Sequence, residues 1–383
     1  MPEVVNFTFT MIELYALVFF IVLSSLFTCA VYFVGGDLAS FASLGGGPKL
    51  AILLASFLIA LLMLWLAIAE NIHRAIKHLV FFVLLIYVFI FLCFLLGVSL
   101  RLFRVRINMF RTTLVILSVH FCLYCYGYVN RLFPRPTHYR LETTKDVNLK
   151  IVFVSDIHMG AVGSNLKLLK KMIDVINDQK ADLVLFGGDM VETKVDNSSF
   201  SKYAELFRTI KSNQGIYAIL GNHEYYTGRT NIDRILEFLG EECGMRVLLD
   251  ESVRIGKNMV LLGRVDGGHS RIMARRKIDR ILEKADAGDA FLLVLDHNPR
   301  YFDEAVKNNV DLQLSGHSHN GQMFPFNILV KFFYEKPYGR LEKSKSTLIV
   351  SSGVGTWGPP VKLFSKPEIV VLEIKKTTSA GGK

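Results

Sequence analysis

The chain has 383 residues, of which 51% are hydrophobic, and a net charge of +10. That length holds one sizeable domain and a second segment, since a single domain spans roughly 100–250 residues. The Lys and Arg residues are scattered rather than gathered into a stripe interleaved with aromatics, so no nucleic-acid partner is expected; an anionic surface or a phosphorylated substrate accounts for the charge equally well.

Up to Asn130 there are seven Lys or Arg and four Asp or Glu. Four uncharged apolar runs occupy 14–34, 50–69, 79–100 and 112–129, and a helix needs about 20 such residues to cross a bilayer core. The expectation for 1–130 is a multi-pass α-helical membrane anchor with about four transmembrane helices. The fourth run is the shortest and contains His120, Cys122, Tyr124, Cys125 and Tyr126. No basic residue precedes the first run and three more follow it, so a cleaved leader is not expected. Lys and Arg close to the spans put the Arg101 to Arg111 loop in the cytoplasm and the C-terminal domain on the extracytoplasmic side of the cell membrane.

Residues 131–148, with Pro134 and Pro136, read as a linker. From Leu149 the pattern becomes short apolar strands alternating with amphipathic helices. Strands are expected at 149–154, 183–186, 216–220, 259–262, 291–295, 312–314, 348–351 and 369–372. A helix is expected over 165–178, capped by Asn165 and buried through Leu166, Leu169, Met172, Ile173 and Ile176. The result is a layered α/β domain over 149–375 and a disordered tail over 376–383. Four of the five cysteines lie in the apolar runs, so Cys243 is alone in this domain and an internal disulfide there is excluded.

Metal-binding residue types recur where the strands end: Asp156 and His158, then Gly188-Asp189, then Gly221-Asn222-His223-Glu224, then Asp296-His297, then Gly316-His317-Ser318-His319. Ligands gather beyond the carboxyl ends of strands in an open α/β sheet, so these five loops can converge. Carboxylates, imidazoles and one amide suit borderline divalent ions, whereas closed structural zinc calls for thiolates. Asp-x-His and His-x-His each put two ligands on one side of an extended segment.

These blocks, in this order, resemble the calcineurin-like metallophosphoesterases, whose motifs run D-x-H, G-D, G-N-H-[DE], H and G-H-x-H. The likeness spans about Lys150 to Ile374 and is to bacterial membrane-associated members of the YkuE and YaeI type; the closing stretch Ser352 to Pro360 also looks like that subgroup. The resemblance implies a four-layer αββα domain. It implies one metal on Asp156, His158, Asp189 and His319, and a second on Asp189, Asn222, His297 and His317, with Asp189 shared. Manganese is the expected ion, with iron or zinc as alternatives. His223 is implied as the group that stabilises the transition state or protonates the leaving oxygen, and Glu192, where relatives more often have Asp, as its partner. Asn222 and Lys362 are expected to contact substrate, Lys362 standing where Arg is frequent. Asn320 stands where Gly is frequent.

The expected activity is hydrolysis of a phosphodiester, pyrophosphate or phosphomonoester bond in a lipid-linked or cell-envelope substrate. The alternatives are a UDP-2,3-diacylglucosamine hydrolase of lipid A assembly and, from another class, a membrane sensor or transporter with a degenerate phosphoesterase domain. The apolar stretch 323–338 is read either as a lip for a lipid chain or as part of the domain's own core.

Overall fold

The computed structural model describes residues 109–377, apart from 162–163, 193–194, 196, 268–273, 286 and 325. The chain divides into two compact units, Met1–Cys125 and Tyr126–Lys383. Helix α1 (Met109–Asn130) covers the fourth apolar run. Its final residues are fixed by polar contacts: Lys362 N donates to Gly127 O at 3.0 Å, and Asn130 Nδ2 donates to Lys362 O at 2.9 Å and Ser365 O at 3.0 Å.

The multi-pass membrane anchor and the cell-membrane location are not supported. Among the described residues, no helix is long and apolar enough to cross a membrane. The first three expected spans, 14–34, 50–69 and 79–100, lie outside the described residues.

Among the described residues, the second unit contains twelve strands in two six-stranded sheets. The strands are β1 (Arg135–Thr143), β2 (Leu149–Val154), β3 (Leu183–Gly187), β4 (Ile216–Ile219), β5 (Arg246–Val247), β6 (Glu251–Ile255), β7 (Met259–Gly263), β8 (Phe291–Leu295), β9 (Leu312–Ser315), β10 (Gly339–Lys343), β11 (Ser346–Val350) and β12 (Glu368–Lys376). One sheet has the order β1-β12-β2-β3-β4-β5 and the other β10-β11-β9-β8-β7-β6. The interior strands β2, β3, β8 and β9 pair in parallel and are almost wholly buried, which is why they read as continuous apolar runs instead of alternating ones. The stretch 131–148, expected as a linker, carries β1, which adds to the first sheet by pairing in parallel with β12.

The two sheets face each other across one core, where Ile151, Phe153 and Leu185 from the first meet Leu261, Leu293 and Leu314 from the second. The outer face of the first sheet is covered by α2 (Leu166–Asp178), α3 (Asn197–Phe207) and α5 (Arg229–Glu237), and that of the second by α6 (Ile278–Leu282) and α7 (Phe302–Lys307). Helix α4 (Asn222–Tyr226) follows β4 directly, and α8 (Phe326–Leu329) falls in the apolar stretch 323–338. The order helix, sheet, sheet, helix follows from these three cores.

Helix α2 shows the local logic. Asn165 Oδ1 accepts from Leu168 N at 2.8 Å and so caps the first turn. Leu168, Leu169, Met172, Ile173 and Ile176 recur at helical spacing and are all buried, each contributing about 1.5–3 kcal/mol relative to exposure. The apolar stretch after β9 behaves otherwise: Ile328, Leu329, Phe332 and Phe333 are exposed.

Candidate metal centre

Parallel pairing brings strand ends side by side. Val154 lies opposite Phe186 and Gly187 opposite Ile219 in the first sheet, and Leu295 lies opposite Leu314 in the second. The loops beyond them are tied across both sheets: Asp156 N donates to Gly188 O at 3.0 Å, Gly316 N to His297 O at 3.0 Å, and His317 N to Asp156 Oδ1 at 3.0 Å. A Cβ at Gly221 would collide with the Asp189 carboxylate and the His297 ring, and one at Gly316 with the Asp156 carboxylate. Glycine is required at both positions because the loops approach so closely.

All seven expected ligands come together. Asp156, His158 and His319 form one group and Asp189, His297 and His317 another, each with ligand atoms within 4.8 Å of one another. His158 Nε2 lies 3.0 Å from His319 Nε2, and His319 Nε2 lies 3.5 Å from Asp156 Oδ1. In the second group His297 Nε2 is 3.1 Å from Asp189 Oδ2, and His317 Nδ1 is 3.3 Å from His297 Nε2 and 2.7 Å from Asn222 Oδ1. A cation about 2.0–2.2 Å from each donor separates neighbouring donors by about 3–3.4 Å, so both groups fit a divalent ion.

Asp189 is the meeting point. Its Oδ2 stands 3.1 Å from His297 Nε2 and 3.9 Å from both His158 Nε2 and His223 Nε2, and its Oδ1 accepts from His223 N at 2.9 Å. Burial favours its protonation, but His297 and His223 outweigh that and hold the carboxyl well below the usual range. Burial lowers His317 to about 4 and His319 well below the ordinary imidazole value. Both rings are therefore neutral near pH 7, the state that offers a lone pair to a cation.

The outer nitrogens set the ring orientations. Gly187 O can only accept, so the 2.7 Å contact with His297 Nδ1 fixes the proton there and turns Nε2 inward. Glu192 Oε2 lies 2.6 Å from His158 Nδ1 and 2.8 Å from His223 Nδ1. The longer acid at this position thus reaches two histidines at once, and Glu192, His158 and His223 form a third cluster of ligand type. His223 is pushed down by burial, but Asp189 and the Glu192 hydrogen bond more than reverse this and lift it to about 9.

Five of the seven expected ligands, Asp156, His158, Asp189, His317 and His319, have φ between 50° and 69°. Such conformations cost non-glycine residues of order 1–3 kcal/mol each and persist where the surroundings over-determine them. Asn320, in place of the frequent glycine, also has φ 51°, a conformation asparagine tolerates better than most residues.

Lys362 is a correction. It is fully buried, and its Nζ donates to Ser352 O at 2.5 Å, Gly353 O at 2.6 Å and Lys366 O at 3.4 Å. With its donors taken by backbone carbonyls, it is a tie beneath the loop of Ser352 and Gly353 and not a contact for substrate; burial pushes it down to about 7 despite attraction from Asp156 and Glu368. Lys362→Met leaves those carbonyls unpaired and is expected to destabilise the fold by about 2–3 kcal/mol. Thermal unfolding checks this: a lowered Tm agrees, whereas an unchanged Tm with a raised KM would restore the substrate role.

Glu224 is a second tie. Its carboxylate accepts from Asp189 N at 3.1 Å, Val191 N at 2.8 Å and Gly221 N at 2.8 Å, and it is fully buried. Glu224→Ala strands three buried N–H groups at the loops carrying Asp189 and Asn222, and a stability loss of about 3–5 kcal/mol is expected by denaturant titration. Sequence reasoning missed two further groups. Arg275 pairs with Asp296 Oδ1 at 3.1 Å and stacks on Tyr301 at 4.2 Å, fixing the residue before His297. Gln322 binds the loop of Trp357. Neither carries a spacing signal; each acts through a contact between distant segments.

The calcineurin-like phosphoesterase family matches residues 149–321. An uncharacterized metallophosphoesterase of Aquifex aeolicus is 34% identical over 259 residues, covering 65% of this chain and 95% of that protein. One of Campylobacter jejuni is 33% identical over 279 residues, covering 70% of each. The uncharacterized metallophosphoesterase YkuE of Bacillus subtilis is 30% identical, covering 66% of this chain and 90% of YkuE. With this similarity, and with the carboxylate and imidazole clusters at the strand ends, the chain belongs to the calcineurin-like phosphoesterases and is a metal-dependent phosphoesterase.

Proposed function

We propose that the chain hydrolyses a phosphodiester, with two divalent ions held by Asp156, His158, Asp189 and His319 on one side and by Asp189, Asn222, His297 and His317 on the other. The observation that carries the reading is Asp189 Oδ2, a single carboxylate oxygen within 3.9 Å of His158 and 3.1 Å of His297 from separate donor groups. The carboxylate, imidazole and amide set suits borderline divalent ions, the carboxylates and amide accepting manganese and the imidazoles iron or zinc, and manganese is the ion we take for the test. When bound, such a pair supplies an activated water and neutralises charge on the phosphoryl oxygens.

The remaining steps belong to the chain's own residues. Glu192 Oε2 accepts the Nδ1–H of His223, which leaves Nε2 on the side of Asp189 and the donor groups. Held protonated there, His223 hands the Nε2 proton to the departing alcohol oxygen. Asn222, whose Oδ1 lies 2.7 Å from His317 Nδ1, orients a phosphoryl oxygen through its side-chain amide in this reading.

The test is turnover of bis(p-nitrophenyl) phosphate by the full chain, stripped of metal and then reloaded with Mn²⁺. Activity that disappears with the metal and returns with it supports the reading. A fully reloaded chain with no phosphodiesterase turnover rejects it.

A further inference from the structure

Two large aromatic side chains border His223 and have no part in the chemistry proposed. The Tyr226 ring, in α4, lies 5.2 Å from the His223 ring at an interplanar angle of 77°. The Trp357 ring, from the loop between β11 and β12, lies 6.3 Å from the same imidazole at 70°. Both are edge-to-face contacts inside the roughly 4.5–7 Å range over which aromatic rings attract. Neither ring belongs to the core, for Tyr226 is 51% and Trp357 50% exposed. Large rings left half in water give up much of their burial energy, and two of them on one imidazole leave apolar surface that a planar ligand can cover.

Trp357 is held in place at that exposed position. Gln322 is buried, donates Nε2 to Trp357 O and to Pro359 O at 2.9 Å each, and accepts from Trp357 N through Oε1 at 2.8 Å. Its backbone oxygen also accepts from Leu363 N at 3.0 Å. Gln322 itself has φ 58° and ψ −42°, a strained combination for a side-chain-bearing residue. It sits three residues after His319, so the segment that carries an expected metal ligand also fixes the tryptophan. An exposed ring with a fixed backbone is pre-organised and loses little entropy when a ligand stacks on it.

We propose that Trp357, positioned by Gln322, forms with Tyr226 a recognition surface for a planar ring on the leaving alcohol, so that the substrate class is phosphodiesters whose departing group carries an aromatic ring or a nucleobase. This rests on the reading of His223 as the group facing the leaving oxygen: rings that touch that imidazole border whatever it protonates. Trp357 and Tyr226 are specificity-determining residues, and Gln322 is a positioning residue that acts through Trp357. Stacking of a ring on one aromatic side chain corresponds to an effect of about 10-fold or more on binding.

The experiment compares three methyl phosphodiesters, with thymidine, phenol or ethanol as the departing alcohol, on the Mn²⁺-loaded full chain. Each variant is expressed as a ratio to wild type for the same substrate, so intrinsic leaving-group reactivity cancels. Trp357→Ala is expected to lower kcat/KM about 10-fold for the ring-bearing esters, chiefly through KM, and less than about 2-fold for the ethyl ester. Trp357→Phe should retain most of the ring preference, and Gln322→Ala should lose part of it. A loss with thymidine only assigns a nucleobase, a loss with phenol only assigns an aryl group, and a loss with both assigns planar rings in general; each supports the proposal. An equal loss on all three esters, or no loss on any, overturns it.

A second readout does not depend on turnover. The chain has two tryptophans, Trp65 and Trp357, so in a Trp65→Phe chain the emission reports Trp357 alone. Saturable quenching by thymidine 5′-monophosphate, absent with ethyl phosphate, supports the proposal; no quenching by either contradicts it. Should wild type hydrolyse none of the three esters, the phosphodiesterase reading fails while the quenching still decides the recognition surface.

Discussion

Asp189→Asn is expected to remove tightly bound metal and activity together, with turnover falling on the order of 10⁴-fold. The reason is positional. Asp189 Oδ2 is the acceptor nearest to His297 Nε2, at 3.1 Å, and it stands 3.9 Å from His158 Nε2, so one charge serves both donor groups. An amide of the same shape keeps the packing but withdraws that negative charge from a fully buried place, where charge acts through a low dielectric. Asp189 Oδ1 also accepts from His223 N at 2.9 Å, a bond the Asn side-chain oxygen can still accept, so the backbone of the loop should survive. Metal content by mass spectrometry, read beside circular dichroism, separates the outcomes. Loss of both ions with an unchanged spectrum is the expected result. Two tightly retained ions would show that Asp189 is not shared.

His223→Ala should have the opposite signature: metal content unchanged and turnover lowered by about 10²–10⁴-fold, the range for a lost acid or base. His223 Nδ1 is engaged by Glu192 at 2.8 Å, while Nε2 lies 3.9 Å from Asp189 Oδ2, an arrangement suited to delivering a proton on the side of the donor groups. The loss should be smaller with nitrophenolate, which leaves without protonation, than with an alkoxide. Glu192→Ala should be milder in turnover than His223→Ala but should also weaken metal binding, because the same Oε2 holds His158 Nδ1 at 2.6 Å. Equal losses for good and poor leaving groups in His223→Ala would reduce His223 to a phosphate-positioning role.

The buried strands could be read from the sequence and the edge strands could not. β2, β3, β4, β7, β8, β9, β11 and β12 all fall where apolar runs predicted strands. The four that were not anticipated, β1, β5, β6 and β10, are the two edges of each sheet. Edge strands face water along one side and carry charge, as in Glu251-Ser252-Val253-Arg254-Ile255 and Gly339-Arg340-Leu341-Glu342-Lys343, so they lack the apolar signal. β1 begins Arg135-Pro136 and resembles a linker until β12 pairs with it. The multi-pass anchor was inferred from run length and apolarity alone, and among the described residues no helix meets both conditions.

The site was legible because its residue types cluster at strand ends, where period and glycine spacing mark the loops. Lys362 was misread because its charge alone is visible in sequence, whereas its role comes from complete burial against Ser352 O and Gly353 O. The left-handed backbone of Asp156, His158, Asp189, His317 and His319 also leaves no trace in a sequence, since none of these residue types demands it. Gln322 and Arg275 belong with them, as contacts across segments cannot be read from spacing.

The central claim is that one carboxylate joins two metal sites, and electron paramagnetic resonance of the Mn²⁺-loaded full chain tests it most directly. With Asp189 shared, the chain should bind two ions and give the multiline spectrum of a spin-coupled pair, which Asp189→Asn abolishes. One ion per chain, or two ions with the spectrum of isolated Mn²⁺, would contradict the account.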